Sequence, residues 1–230
     1  MNAATLLALP AISILLTVAT YIVGLKLHLR WRWIPPILVA AAPIIALLLA
    51  LRVPFNAYNH GGAWLTWMLG PGTVALAIPM YRNGLALRPS LPRLAVVVFI
   101  GSVVGLLTAG LTCWALGAPS AVVLSTLPKS VTTPIAIEVC TQLGGIPAIT
   151  TAMVVITGVL GASIGLPILR LLRIGSARAI GAAIGTSSHG VGTASLVRRS
   201  EREAAVSSWA MAAAGVFTSL LAVLVKLLLK

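Results

Sequence analysis

Leu94-Ala95-Val96-Val97-Val98-Phe99-Ile100-Gly101-Ser102-Val103-Val104-Gly105-Leu106-Leu107-Thr108-Ala109-Gly110-Leu111-Thr112-Cys113-Trp114-Ala115-Leu116 carries no charged side chain, and none follows it until Lys129. A helix that crosses the hydrocarbon core of a bilayer needs about 20 predominantly apolar residues, so the stretch is read as a membrane span. The chain around it agrees. Its 230 residues are 59 % hydrophobic and 8 % charged, against roughly 25 % charged in an average soluble domain. Further apolar runs lie at 5–25, 34–51, 64–81, 121–143, 146–169, 179–197 and 204–225, of which 146–169 and 204–225 are equally uninterrupted. The expectation is an all-α polytopic membrane protein with about 6–8 transmembrane segments, a single membrane domain over 1–230.

Sixteen Lys and Arg stand against three acids (Glu138, Glu201 and Glu203), a net charge of +13. In a soluble chain that balance suggests nucleic acid. Here the basic residues fall almost entirely between apolar runs, and carrying Arg or Lys at a helix centre costs ~2.5–3.5 kcal/mol each. They are read as loop charges that orient the chain, with no nucleic-acid partner. Lys26, Arg30 and Arg32 follow the first run, Arg82, Arg88 and Arg93 follow the third, and the connections after the fourth and fifth have none. Basic loops stay in the cytoplasm, which puts the N-terminus outside. The first run has no basic stretch before it and exceeds a signal-peptide core, so it is expected to remain as a membrane helix. If every run spans, Arg170, Arg173 and Arg178 fall outside. If 121–143 enters and leaves on one side they return to the cytoplasm, so that segment is read as re-entrant or broken.

Two motifs share G-x-G-T-x-x-L at an offset of 120 residues, Gly70-Pro71-Gly72-Thr73-Val74-Ala75-Leu76 and Gly190-Val191-Gly192-Thr193-Ala194-Ser195-Leu196, with arginine after each at Arg82 and Arg198. Near the same offset, Ala8-Leu9-Pro10-Ala11-Ile12-Ser13 resembles Thr126-Leu127-Pro128-Lys129-Ser130-Val131. These suggest repeats 1–116 and 121–230. A re-entrant 121–143 would invert the second relative to the first, as in many secondary transporters.

Ser125-Thr126-Leu127-Pro128-Lys129-Ser130-Val131-Thr132-Thr133-Pro134 interrupts an apolar run with two prolines, each of which breaks the helical ladder. Backbone groups freed at membrane depth must be buried in protein or line a watery cavity. Thr133 is placed to cap a half-helix starting at Pro134. Its N-terminus, with Lys129, Ser130 and Thr132, would suit a carboxylate. A second interruption, Gly185-Thr186-Ser187-Ser188-His189-Gly190-Val191-Gly192-Thr193, is read as an unwound crossing. Its glycines, Gly190 and Gly192 among them, allow close backbone approach to a ligand, and Ser187, Ser188, His189 and Thr193 add polar groups. Glu138 and His189 are the candidates for carrying a proton, since an intramembrane carboxylate is expensive unless used and imidazole titrates near neutrality. Gly70, Pro71 and Gly72 mark a further structural break. Each feature also has a plain structural reading: small residues permit close helix packing, Lys129 can snorkel to an interface or pair with Glu138, and His189 can be a packed hydrogen-bonding group.

Other groups point away from chemistry. Cys113 and Cys140 lie in apolar stretches and are read as packed thiols. His28 and His60 are read as solvated loop residues. Trp31, Trp33, Trp64, Trp67 and Tyr81 stand near helix ends as an interfacial belt, and Arg198, Arg199, Glu201, Arg202 and Glu203 as a solvated or lipid-headgroup-facing loop. With no Asp in the chain, no nucleotide-binding loop and no metal-ligand cluster, neither an enzyme, a cofactor nor a metal is expected.

At Leu69 to Asn83, Pro128 to Ala136 and Ser188 to Ala194 the chain resembles the LrgB/CidB family of bacterial membrane proteins, whose relatives include the C-terminal half of the plastid glycolate/glycerate translocator. The resemblance implies an inner-membrane protein and two functional accounts. One is an antiholin-like modulator of murein hydrolase activity and autolysis, working beside a small LrgA/CidA-type membrane subunit. The other is a carrier of small monocarboxylates such as glycolate, glycerate, lactate or pyruvate, which a pair of polar helix breaks favours. Membrane lipids, a small carboxylate, the LrgA/CidA-like subunit and further copies of the chain are the expected partners.

Overall fold

The structure is a computed structural model that describes Leu6, residues 9–31 and residues 36–228. Thr5, Ala8, Arg32, Trp33 and Ile34, which the sequence reading used, lie outside the described residues. The described residues are helical, and four helices, Pro10–Arg30, Gly84–Ala115, Pro147–Leu171 and Glu201–Leu228, are long and apolar enough to cross a membrane. Apolar side chains cover much of the outside, among them Val96, Leu107, Ile156 and Leu220, as expected where lipid rather than water is the solvent. The chain divides into two compact units, 1–75 and 76–230.

In the first unit, α1 (Pro10–Arg30) packs against α2 (Pro36–Ala50) and α3 (Phe55–Trp67), and α4 (Leu69–Ala75) follows. Close packing rests on glycine: a Cβ on Gly24 would lie 2.5 Å from the Pro36 carbonyl oxygen. The Thr17 hydroxyl donates to the Ser13 carbonyl at 2.6 Å, so the Tyr58 hydroxyl, 2.5 Å away, donates to Thr17. The run 64–81 is not one helix: turns at Met68 and Leu76 divide it among α3, α4 and α5 (Ala77–Arg82). His28 and His60 lie on α1 and α3 rather than in loops.

The second unit begins with α5, α6 (Gly84–Leu87) and a 3-10 turn (Arg88–Ser90). Three long rods follow: α7 (Leu91–Ala115); α10 (Pro147–Leu160), continued through a π turn (Gly161–Gly165) into α11 (Leu166–Leu171); and α13 (Glu201–Leu228). At 1.5 Å per residue, the 25 residues of α7 reach about 37 Å, enough for a bilayer core. Leu94 packs with Val206, Val98 with Ala210 and Ala214, and Leu106 with Ala222, so α7 and α13 run parallel.

Between the rods lie two helical hairpins. α8 (Ser120–Thr126) and α9 (Thr133–Leu143) are only 7 and 11 residues long. The chain reverses between them, since Leu127 packs on Val139 and Leu143 and the Ile146 amide donates to Ser125 Oγ at 2.7 Å. α7 and α9 both end on left-handed glycines, Gly117 (φ 76) and Gly144 (φ 81). The amides just beyond, Ala118 and Gly145, bond back to the Cys113 and Cys140 carbonyls, which turns the chain sharply. The second hairpin is α12 (Ala177–Val197), whose helical run is broken at His189 (φ 40, ψ −138). Its two arms fold together: a Cβ on Gly192 would sit 2.9 Å from Ile184 Cγ2, and Leu196 shares a cluster with Ile180 and Ala204.

The hairpins approach from opposite ends. Arg178 Nη1 donates to Ser90 Oγ at 3.1 Å and Arg82 lies 3.9 Å from Glu201, so α7, α12 and α13 all start at one arginine-rich end. α8 starts from the other, after α7 has crossed. A rod followed by a hairpin thus occurs twice, 91–143 and 147–197, in opposite directions. This repetition has a shorter period than the 120-residue one.

Glu203, expected in a solvated loop, is 6 % exposed. Its amide donates to Ser200 Oγ at 3.3 Å, the helix-start geometry of a capping box. Its carboxylate lies 3.0 Å from Arg199 Nε, in ion-pair range but not aligned as a hydrogen bond.

Candidate functional site

The tip of the first hairpin runs from Leu127 to Thr132. Pro128 cannot supply an amide to continue α8, and the chain closes instead in tight turns, with Lys129 N bonded to the Thr126 carbonyl at 3.2 Å and Val131 N to Pro128 at 3.3 Å. Thr132 is extended and stands at the helix cap, with Thr133 and Pro134 inside the first turn. The boundary is therefore one residue earlier than Thr133. No side chain caps it, which leaves first-turn amides of α9 without an intrahelical acceptor. Lys129 Nζ, half-buried, donates to Ser130 Oγ at 3.3 Å.

The tip of the second hairpin is His189. Positive φ on a non-glycine residue at this ψ costs on the order of 1–3 kcal/mol and needs outside support. His189 Nε2 lies 3.0 Å from the Val154 carbonyl; a carbonyl only accepts, so Nε2 carries the proton and Nδ1 is the basic nitrogen. Thr193 Oγ1 donates to the His189 carbonyl at 2.7 Å, which leaves its oxygen to accept from Ser207 Oγ at 2.8 Å. Thr193 thus lies one turn inside the return arm. Ser187 Oγ, exposed, bonds to the Ala183 carbonyl at 2.7 Å and stands 2.9 Å from Ser188 Oγ.

Both tips reach all three rods within a turn of each other. On α7, a Cβ on Gly105 would be 3.8 Å from Ser130 Oγ, and one on Gly101 3.0 Å from Thr186 Cγ2. On α10, Val154 clusters with Val131 and Ala136 of the first hairpin and receives His189 of the second; a Cβ on Gly158 would lie 2.7 Å from the imidazole. On α13, Gly215 faces Ile135, and Met211, one turn away, faces Gly190. These contacts fall near the middle of each rod. Residues 128–134 and 185–193 are thus brought together halfway along the unit.

Glu138 is not part of this meeting. It lies on the exposed side of α9 and accepts from Gln142 Nε2 at 2.9 Å. Gly70, Pro71 and Gly72 lie in the short helix α4 of the first unit, just after the turn at Met68 that interrupts the run. Thr186, part of the second interruption but given no role there, stands one glycine rung from Ser130 on α7, the rungs being Gly101 and Gly105, four residues apart in the most apolar run. Among the described residues the ion pairs are Arg82 with Glu201 and Arg199 with Glu203, so Lys129 brings a charge to the tips that no carboxylate neutralises.

Comparison with known proteins gives the same family as the motifs. The LrgB-like family matches residues 17–227. The chain belongs to that family. It is 37 % identical over 209 residues to the uncharacterized protein YwbG of Bacillus subtilis, covering 90 % of this chain and 93 % of the relative. It is 32 % identical over 210 residues to the holin-like protein CidB of Staphylococcus aureus, covering 90 % and 92 %. To the antiholin-like protein LrgB of Bacillus cereus it is 33 % identical over 183 residues, covering 80 % of each. No solved structure matches. Apolar helices and family together make this LrgB-like chain a multi-pass membrane protein.

Proposed function

We propose that this LrgB-like protein is a secondary transporter of small monocarboxylates of the glycolate, glycerate, lactate and pyruvate class. The observation that carries the reading is the convergence of two hairpin tips on Val154, with Lys129 beside them lacking a carboxylate partner among the described residues. In this reading the hairpins are re-entrant, and discontinuous helices built from inverted repeats hold the substrate at mid-membrane. The carboxylate sits on Lys129, Ser130, Thr132 and the free amides at the start of α9. Thr133, Ser187, Ser188, Gly190, Gly192 and Thr193 complete or shape the site. His189 carries the coupled proton on Nδ1, a role its burial favours over exposed Glu138. The arginine-rich end is cytoplasmic by the basic-loop rule. By the same rule Lys26 and Arg30 at the end of α1 support an N-terminus outside, and the reading takes the membrane to be a bacterial inner membrane.

The test is uptake of labelled glycolate, glycerate, lactate and pyruvate into proteoliposomes, with and without a proton gradient. Saturable flux that depends on Lys129 is expected; its absence for all four acids would falsify the reading.

A second reading follows from the names of the relatives, holin-like and antiholin-like. In it the chain modulates murein hydrolase activity beside an LrgA/CidA-type subunit. That account predicts altered autolysis or unselective leakage without saturable flux. If the subunit is obligatory for transport, flux arises only when both chains are reconstituted.

A further inference from the structure

At the arginine-rich end of the second unit lies an open groove of about 580 Å³, lined by Met80, Arg82, Leu85, Arg88, Leu91 and Trp209 among others. Its lining residues are not those of the hairpin tips, and the transport reading does not use it. Its two halves differ in chemistry. The floor is apolar: Leu87, Leu94, Ala205 and Val206 form a buried cluster, with Met80, Leu91 and Trp209 packed on it. The rim carries the Arg82 and Arg88 side chains beside Tyr81, 88 % exposed, and Leu85, 81 % exposed. A soluble anion has no use for the floor, and a neutral acyl chain has none for the rim.

The charge on the rim also lacks an internal answer. Of the three acids in the chain, Glu203 is taken by Arg199 and Glu138 is bonded to Gln142 on the hairpin that starts from the opposite end. Glu201 alone approaches, 3.9 Å from Arg82 with both side chains largely exposed, a contact too loose and too wet to neutralise two guanidiniums. Guanidinium forks match phosphate oxygens in a bidentate way, and basic pockets between membrane helices select anionic headgroups. Tyrosine and tryptophan with one wet and one apolar side suit the same depth.

We propose that this groove binds one anionic glycerophospholipid, its phosphate on Arg82 and Arg88 and an acyl chain along Leu85, Leu91 and Trp209. Only a ligand with both parts satisfies both halves of the groove.

The experiment is thermal unfolding of the purified full chain in mild detergent, titrated separately with phosphatidylglycerol, phosphatidylcholine and inorganic phosphate. Phosphatidylglycerol raises the melting temperature; the other two do not. The double variant Arg82→Gln/Arg88→Gln cuts that shift to half or less. Arg198→Gln/Arg202→Gln, which removes two arginines from the same end outside the groove, leaves it intact. Leu85→Glu, at an exposed position, weakens it with both arginines in place and guards against a folding defect in the double variant. An equal shift from phosphatidylcholine overturns the proposal, as does full stabilisation by inorganic phosphate. Equal loss in the Arg198/Arg202 variant also overturns it, because the effect would then belong to diffuse surface charge.

Discussion

His189 Nε2 donates to the main-chain carbonyl of Val154 at 3.0 Å, across 35 residues of chain. Val154 also holds Val131 and Ala136 of the other hairpin, so one residue on α10 registers both tips. The bond supports a backbone that His189 adopts at a cost, and it fixes which imidazole nitrogen is free.

That dual role separates two variants. His189→Gly removes the ring but suits positive φ, whereas His189→Ala removes the ring and keeps the strain. His189→Gly is expected to be the more stable of the two, by about 1 kcal/mol or more, read as a higher melting temperature. Neither is expected to support proton-coupled flux. Wild-type flux in His189→Gly would reduce the imidazole to a packing group.

The second hairpin also depends on how closely α10 can approach it. A Cβ on Gly158 would lie 2.7 Å from His189 Cε1 and 2.8 Å from Nε2, and one on Gly161 would collide with Ser188 Oγ. Gly158→Ala and Gly161→Ala are each expected to cost roughly 1–3 kcal/mol, the usual penalty of overpacking. Gly175→Ala, where a Cβ meets nothing within 4 Å, is the control and should leave the melting temperature unchanged.

Much of this was legible in the sequence, for physical reasons that differ by residue. The spans at 94–116, 146–169 and 204–225 could be read because lipid imposes length and apolarity at once. The tip at Pro128 to Pro134 could be read because proline cannot continue a helix wherever it lies. The turn at His189 was only half legible: glycine and hydroxyl content revealed an interruption, but whether the chain crosses or returns depends on Gly192 and Leu196 packing back on Ile184 and Ile180, contacts with no sequence signal of their own. Thr186 was given no role because its neighbour, Gly101, is a glycine on another helix. The cap at Thr133 was misplaced by one residue because Pro134 was assigned to the first helical position, and it occupies the second.

Among the described residues Lys129 donates only to Ser130 Oγ, and it is half-buried, so removing its charge should alter function more than fold. Lys129→Gln is expected to lower carboxylate flux roughly tenfold to a hundredfold, the loss of a charge-assisted bond of about 1.5–3 kcal/mol, with little change in melting temperature. Lys129→Arg should retain part of the flux, because it keeps the charge while altering its shape. Equal flux in all three proteins would leave Lys129 as a snorkelling side chain.

The hairpins also predict sidedness. If 120–143 returns to the end from which it starts, Gly117 and Gly144 lie toward the same side of the membrane. If 177–197 does likewise, Gly175 and Arg198 share the other. Single cysteines at the exposed neighbours Leu116 and Ile146, which spare the left-handed glycines, and at Gly175 and Arg198, in a chain with Cys113 and Cys140 replaced, should react with a membrane-impermeant maleimide in two pairs, Leu116 with Ile146 and Gly175 with Arg198. Were both segments to cross, each pair would split, and Arg178 could not reach Ser90. The labelling pattern therefore tests the inversion of the two halves independently of any substrate, and a split in either pair would dismantle the shared site at Val154 along with it.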